Sequence, residues 1–470
     1  MTNSLLLTGT FIAGLIFACQ QYVPIPQDKK TTQSAAASFQ EWCAGCHGQE
    51  AESFIDYKWK YGNTQADLVK AIKYGYPDEG MPAYEETFSD EEIAELATYI
   101  LNEVADKNNR YKFEEEVQSD TFYASKQTVK LDTILSDIGN PWGMDFLPNG
   151  DMLVTIQSGE LYRVDVENKR VEIQGVPKVR FAGQGGLLDV CVHPNFDQNQ
   201  YIYISYSKFN PNDDSESTTA LFRAQLNGNQ LVGGQDIFVA EPYVSTKHHY
   251  GSRIVFDPDG YLYLSVGDRG KRDDHPQYLS NDSGKVHRLN DDGGIPRDNP
   301  FIRQNDTSPS IFTYGHRNPQ GLAIHPTTGA VWEHEHGPRG GDEVNLIEPG
   351  NNYGWPVISY GINYSGTKFT DITEKEGMEQ PKTYWDPSIA PCGMTFVAGS
   401  RYPDWQNQLL VGSLKFDYVN LCRIEGEKVV GQELILKNIG RVRSLAQDAD
   451  GYLYVGVEDP GFVFRLMPVK

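Results

Sequence analysis

The chain has 470 residues, with 41 Lys and Arg against 64 Asp and Glu, for a formal charge of −23. That length implies two or three domains. The acidic balance excludes nucleic acid or anionic lipid as the main partner, since both need a basic footprint. Apolar residues make up 39%, enough for a sizeable core, and 45 Gly point to many tight turns and hence many strands. No stretch reaches the roughly 18 apolar residues of a spanning helix.

Residues 1–18 read as a signal peptide. Leu5 to Ala18 is a largely apolar run that stops at Cys19. The junction Ile16-Phe17-Ala18-Cys19 resembles a bacterial lipoprotein cleavage site, with Cys19 as the acylated residue. It departs from that pattern in two ways: no Lys or Arg precedes Lys29, and Phe17 is bulky. An ordinary signal peptide or an uncleaved anchor is the alternative. Each reading places the mature protein outside the cytoplasm, periplasmic or at the cell surface, with a lipid tether through Cys19 in the first. Residues 19–34 are polar, carry two prolines and read as a tether.

Residues 35–105 carry Cys43-Ala44-Gly45-Cys46-His47, a C-x-x-C-H motif for covalent haem c. Two thiols one helical turn apart can add to the vinyl groups on one haem edge, and the adjacent His then sits beneath the iron. A redox dithiol or half of a zinc site is the competing reading. Zinc would need further ligands nearby, and 48–110 contains no other Cys or His. Within 35–110 the only Met is Met81, in the loop GYPDEGMPAY, which makes Met81 the expected sixth ligand. Met/His ligation raises the haem potential and suits electron transfer. Ser89 and Glu92 form a capping box, and Ile93, Leu96, Ala97, Ile100 and Leu101 mark one face of a helix. The segment resembles class I cytochrome c, a small all-α domain. Residues 106–130 are charged and nonperiodic and read as a linker.

Residues 131–470 repeat one unit six times: an apolar strand, a turn with Asp, Asn or Gly, and a second apolar strand. Copies begin near Gly143, Leu187, Ser252, Gly321, Gly393 and Arg443. Six such hairpins predict an all-β six-bladed β-propeller closed around a funnel; a sandwich would not need six copies. Polar motifs fall at the hairpin ends. Gln184 precedes the second hairpin, and the run from Lys247 through His248 and His249 to Arg253 opens the third. Arg317 and Asn318 open the fourth, and Gly337 and Pro338 lie at its end. Lys415 ends the fifth, and Arg441 and Arg443 open the sixth. Arg441 and Arg443 alternate and so face one side. With Lys415 and Arg317 they would gather four cations at one funnel, where an anionic ligand is the natural partner. Four independent surface ion pairs are the alternative.

GHRNPQGLAIHP, HGPRGGDEVN, GNNYGWP and GINYSG are long ungapped runs. Through them this part resembles the pyrroloquinoline quinone (PQQ)-dependent glucose/sorbosone dehydrogenase family, closest to its aldose sugar dehydrogenase branch. The resemblance implies PQQ binding by Gln184, Arg317, Asn318, Lys415, Arg441 and Arg443. It implies a PQQ-bound Ca²⁺ on the carbonyls of Gly337 and Pro338, and a structural calcium at Glu343 and Tyr353. His249 matches the base that takes the C1 hydroxyl proton of an aldose. His248 stands where glucose-oxidising relatives carry an assisting Asp, which leaves the base without that partner. Strand alternation would put only one of the two histidines in the funnel. Asp273 and Gln277 are expected to face substrate, and Trp385 and Asp386 a rim loop. Cys392 and Cys422, in one blade, are the best disulfide pair among Cys191, Cys392 and Cys422.

Together the parts read as a quinohaemoprotein that oxidises aldoses to lactones. Its electrons would pass to its own haem and on to a cytochrome, copper protein or terminal oxidase. The rivals are a PQQ dehydrogenase for a non-sugar alcohol or aldehyde, a calcium-dependent lactonase, and a non-catalytic propeller that binds a sugar or a partner.

Overall fold

The computed structural model describes residues 34–43, 59, 61–76, 81–109, 120–124, 126–364 and 367–469. Cys19, Cys46 and His47, with the signal and almost all of the tether, lie outside the described residues.

Among the described residues, the first unit has three helices: α1 (Ala35–Trp42), α2 (Gln65–Tyr74) and α3 (Asp90–Asn109). Each described N-terminus has a reason in sequence. Ser34 caps α1 through Ala37 N, Thr64 and Asp67 form a capping box on α2, and Ser89 and Glu92 cap α3 reciprocally. The apolar face read from Ile93 onward is buried: Ile93, Leu96, Ala97 and Ile100 pack with Phe39, Cys43, Leu68, Ile72 and Phe88. That cluster contains only residues of this unit, so the domain has its own core.

The rest is the six-bladed β-propeller. Blade 1 is β3 (Pro141–Phe146), β4 (Met152–Ile156), β5 (Leu161–Val164) and β6 (Arg170–Glu172). Blade 2 is β7 (Leu187–Val192), β8 (Tyr201–Asn210), β9 (Asp213–Asn227) and β10 (Gln230–Val239), with a short helix α4 (Phe196–Asn199) in its first turn. Blade 3 is β11 (Ile254–Phe256), β12 (Leu262–Val266), β13 (Lys285–Leu289) and β14 (Ile311–Tyr314). Blade 4 is β15 (Pro319–Ile324), β16 (Val331–Glu335), β17 (Asp342–Leu346) and β18 (Thr383–Trp385). Blade 5 is β19 (Pro391–Phe396), β20 (Leu409–Ser413), β21 (Val419–Glu425) and β22 (Lys428–Ile435). The six hairpins read from sequence are the first two strands of each blade.

The sixth blade joins the two ends of the domain. β23 (Val442–Gln447), β24 (Leu453–Val457) and β25 (Phe462–Val469) are completed by β2 (Gln127–Ser136) and β1 (Thr121–Ala124). β2 lies antiparallel to β25 with Leu131 opposite Leu466. The span 106–130 is therefore not all linker. α3 runs to Asn109, and the domain begins by Thr121, because β2 supplies the strand that closes the ring and pairing removes its exposed edge.

One apolar cluster fills each interface between neighbouring blades. Leu153 and Ile204 meet between blades 1 and 2, Tyr203 and Leu264 between 2 and 3, and Val286 and Val331 between 3 and 4. Trp332 and Val411 meet between blades 4 and 5, Leu421 and Val455 between 5 and 6, and Val154 and Val463 between 6 and 1.

At the centre, Arg253 ties the ring together. Nη1 donates to Trp142 O (3.1 Å) and Asp189 Oδ1 (3.1 Å), and Nε to Gln320 O (2.8 Å). Nη2 reaches Arg443 O (2.9 Å) and Cys392 Sγ (3.7 Å). Those partners stand on the innermost strands of the other five blades, so one buried guanidinium spans all six.

Cys191, Cys392 and Cys422 are free thiols, so the expected Cys392–Cys422 disulfide does not form. Cys392 lies on β19 at the centre, against Arg443 and Gln320, while Cys422 lies two strands out, opposite Leu409 and Gln432.

Candidate active site

Two adjoining cavities open among the loops at one end of the funnel. The first has a volume of about 460 Å³ and is walled by Trp142, Gln184, His336, Pro338, Lys415 and Arg443, among others. Arg339 and Arg441 also line it, and no Asp or Glu among the described residues does. Glu458, buried behind, serves both arginines: Arg441 Nε lies 3.1 Å from one oxygen, and Arg443 pairs with the other. Arg441 also feels the half-buried carboxyl of Asp417, while four cations line the cavity itself. Burial pulls Lys415 down to about 8. An anion would favour the charged ammonium and offset the cost of gathering the cations.

The second cavity, about 360 Å³, is lined by His248, His249, Asp268, Arg272, Asp273 and Arg317, among others. Pro338 and Tyr364 border both cavities. Three of the four expected cations, Lys415, Arg441 and Arg443, thus face the first cavity, and Arg317 faces the second. Arg317 Nη1 donates to Gly337 O (2.7 Å) and His336 O (3.1 Å), and its guanidinium lies over the Trp355 ring.

His249 and Asp268 are the reactive pair. His249 Nδ1 lies 2.7 Å from Asp268 Oδ1. Asp268 is itself fixed: Oδ1 also accepts Gly270 N (2.7 Å), and Oδ2 accepts Trp355 Nε1 (2.9 Å). Burial opposes the charge on Asp268, but His249, Arg317 and the Gly270 hydrogen bond outweigh it and hold the carboxyl below its ordinary range. Burial and the Arg317 charge bring His249 down to about 4, against the pull of Asp268. At neutral pH the site therefore holds an ionised carboxylate and a neutral imidazole with its proton on Nδ1. Nε2 is then the basic atom, the arrangement of a general base with an orienting acid.

The expected alternation of His248 and His249 is corrected. Residues 247–252 form a loop, not a strand, and His249 has φ +56° with Gly251 at +62°. Both imidazoles line the second cavity, their rings 4.6 Å apart. The base also does not lack a carboxylate partner. Asp268, from the Gly267-Asp268-Arg269-Gly270 run, supplies it from the next loop.

Gln184 accepts His249 N on Oε1 (2.7 Å) while lining the first cavity, so it links the two. Asn318 is fully buried; Oδ1 accepts Gly251 N (3.2 Å), and Nδ2 has no hydrogen-bond partner among the described residues. That orphaned donor suits an oxygen-rich ligand. Gly337 is packed so closely that a Cβ would stand 2.2 Å from Gly340 O. Its N donates to Asp342 Oδ1 (2.9 Å), and Asp342 also accepts Ile389 N and Ala390 N. The turn is thereby locked with its Gly337 carbonyl directed at a cationic group, Arg317.

A separate buried acidic cluster lies in blade 4. His316, Glu333 and Glu335 bring ligand atoms within 4.8 Å of one another. Glu343 joins through Asn345, whose Nδ2 donates to Glu333 Oε2 (3.1 Å) and Glu343 Oε2 (3.4 Å). Burial and the Glu335 charge hold Glu333 and Glu343 well above the carboxylate range, and Glu333 Oε1 and Asn345 Oδ1 have no hydrogen-bond partner among the described residues. The Tyr353 hydroxyl is engaged with Leu346 O (2.6 Å) and Glu348 N (3.0 Å), so it is not part of that donor set.

Asp273 lines the second cavity as expected. Gln277 instead turns inward to Asn352 and the Trp355 carbonyl. Trp385 is buried with Nε1 on Gln432.

In the helical unit, Cys43 is buried at the end of α1, and Met81 is held by two backbone hydrogen bonds to Tyr76. Tyr84 Oη donates to Trp42 O (3.1 Å), tying the Met81 loop to the residue beside Cys43.

Residues 138–465 match the family model Glucose / Sorbosone dehydrogenase, and residues 30–100 match Cytochrome C oxidase, cbb3-type, subunit III. The chain is 39% identical over 358 residues to Aldose sugar dehydrogenase YliI of Escherichia coli strain K12, covering 74% of this chain and 96% of that one. It is 32% identical to Quinoprotein glucose dehydrogenase B of Acinetobacter calcoaceticus, over 63% of this chain and 66% of that protein. The crystal structure of the soluble aldose sugar dehydrogenase from Escherichia coli, in the apo form, superposes with a TM-score of 0.70 at 38% identity, covering 73% of this chain and all of that one. The protein is thus an oxidoreductase with a cytochrome c domain at its N-terminal side. The chain belongs to the glucose/sorbosone dehydrogenase family.

Proposed function

We propose that this protein is a PQQ- and calcium-dependent aldose dehydrogenase that delivers electrons to its own haem c. The observation that carries the reading is the adjacency of a cation-lined cavity to the His249–Asp268 pair. PQQ carries three carboxylates, which suit Lys415, Arg441 and Arg443, while Gln184 and Asn318 offer it polar contacts. When bound, PQQ supplies a two-electron hydride acceptor. The carbonyls of Gly337 and Pro338 are hard oxygen donors fit for Ca²⁺, and Arg317 would share that region. A second calcium would sit at Glu343 with Glu333 and Glu335.

His249 Nε2 takes the proton of the sugar C1 hydroxyl as hydride leaves C1. Asp268 keeps Nδ1 protonated and stabilises the imidazolium that forms. Asp273 and Tyr364 stand where a sugar would meet the cavity wall. In the helical unit, Cys43 and Cys46 would attach haem c, with His47 and Met81 on its iron. Relatives named for aldose sugar and glucose favour a sugar over a non-sugar alcohol. Lipidation at Cys19 would tether the protein outside the cytoplasm, where the haem would feed a cytochrome, copper protein or terminal oxidase.

The test is dye-linked turnover of the full chain loaded with PQQ and Ca²⁺, against a panel of aldoses, aliphatic alcohols and lactones. Aldose oxidation that requires PQQ is the expected result. Turnover of only alcohols or aldehydes outside the sugars, or lactone hydrolysis without PQQ, would replace the reading.

A further inference from the structure

Lys285, the first residue of β13, is fully buried. Its Nζ donates to three backbone carbonyls: Ser283 (2.6 Å), His275 (2.9 Å) and Pro276 (3.2 Å). All three belong to the 267–284 loop between β12 and β13. The same loop supplies Asp268, Arg272 and Asp273 to the second cavity. It is internally braced, since His275 Nδ1 lies 3.0 Å from Asp268 O. The ammonium thus sits at the root of the segment that carries the partner of His249. An apolar side chain could fill this space without the cost of desolvating a charge, so the lysine does something that packing alone would not require.

We propose that Lys285 is a positioning residue of the active site: its ammonium clamps the base of the 267–284 loop and so holds Asp268 against His249. The catalytic half of this statement rests on the reading of His249 as the base.

The clamp is sensitive to pH. Burial lowers Lys285 to about 7, against the favourable charges of Asp282 and Asp268. The other titratable groups facing it are His275 from the loop and His287 from its own strand, both lowered by burial and by the Lys285 charge. A neutral amine has two donors for three carbonyls. The clamp is therefore complete below about pH 7 and loosens as pH rises through that value. With His249 near 4, kcat/KM should rise through about pH 4 as the base loses its proton and fall above about pH 7.

The test uses the full chain. Hydrogen–deuterium exchange of 267–284, corrected for the intrinsic pH dependence of exchange, is followed from pH 5.5 to 9 in wild type, Lys285→Met and Lys285→Arg. Tryptic cleavage at Lys271 and Arg272 gives an independent readout at fixed pH. Wild type is expected to lose protection through about pH 7. Lys285→Met is expected to be open at every pH, with kcat down about 10- to 100-fold and no alkaline limb. Lys285→Arg is expected to stay protected at high pH. A folded Lys285→Met with wild-type exchange and pH profile would overturn the proposal. So would a wild-type loop whose exchange ignores pH, a result that can be read even if the variant does not fold. Loop opening that follows Lys285 in a protein whose His249→Ala variant remains active would keep the clamp and remove His249 as base.

Discussion

The helical unit and the propeller place their chemistry in opposite ways. In the first, the expected haem ligands fall within one short stretch of sequence from Cys43 to Met81, and Cys43 packs in that unit's own core. In the second, the cavities draw on every blade: Trp142 from the first, Gln184 before the second, His249 and Asp268 from the third, Arg317 and His336 from the fourth, Lys415 from the fifth and Arg443 from the sixth. The propeller site exists only once β2 has paired with β25 and Arg253 has met all six blades. A local site can be damaged one group at a time, whereas a site made by ring closure can also be lost from its centre.

Four substitutions would break or sharpen that contrast. The largest effect is expected for His249→Ala. Loss of the base should cut kcat by about 10³-fold with KM little changed, read by stopped-flow turnover with an artificial dye. Arg253→Met should destabilise the propeller by about 3–5 kcal/mol, because Asp189 would be left buried without its charge partner. Denaturant unfolding should show that loss in sheet signal while the haem absorption transition stays in place. Arg443→Met should weaken PQQ binding by about 10- to 100-fold, the value of a charged hydrogen bond, measured by titration of the PQQ-free protein. Met81→Leu should lower the haem potential and slow haem reduction while leaving dye-linked turnover unchanged.

Much of this was legible in the residues. The haem motif and the six hairpins are contiguous signals. The Asp-Gly turns that join the first two strands of blades 3 and 6 place Gly260 and Gly451 at φ +86° and +84°, as their sequence requires. What escaped depends on residues far apart in the chain. The β2–β25 pairing joins positions more than 300 residues apart, and nothing near Gln127 announces its partner. The His249–Asp268 pair is hidden because the resemblance places the assisting carboxylate at the position of His248, and strand alternation fails for the two histidines where the backbone is left-handed. Asp268 lies in a Gly-Asp-Arg-Gly run, but only the fold brings that run to His249. Lys285 reads in sequence as an ordinary strand residue, and its burial against three carbonyls is visible only in three dimensions.

Electron transfer between the two units is the step on which the proposed function depends most directly. The measurement is the haem spectrum of the full chain, loaded with PQQ and Ca²⁺ under anaerobic conditions, after an aldose is added. The account predicts haem reduction that requires both PQQ and sugar and disappears in His249→Ala. A haem that stays oxidised while an artificial dye is turned over would contradict it, leaving a sugar dehydrogenase whose cytochrome domain is not its electron acceptor.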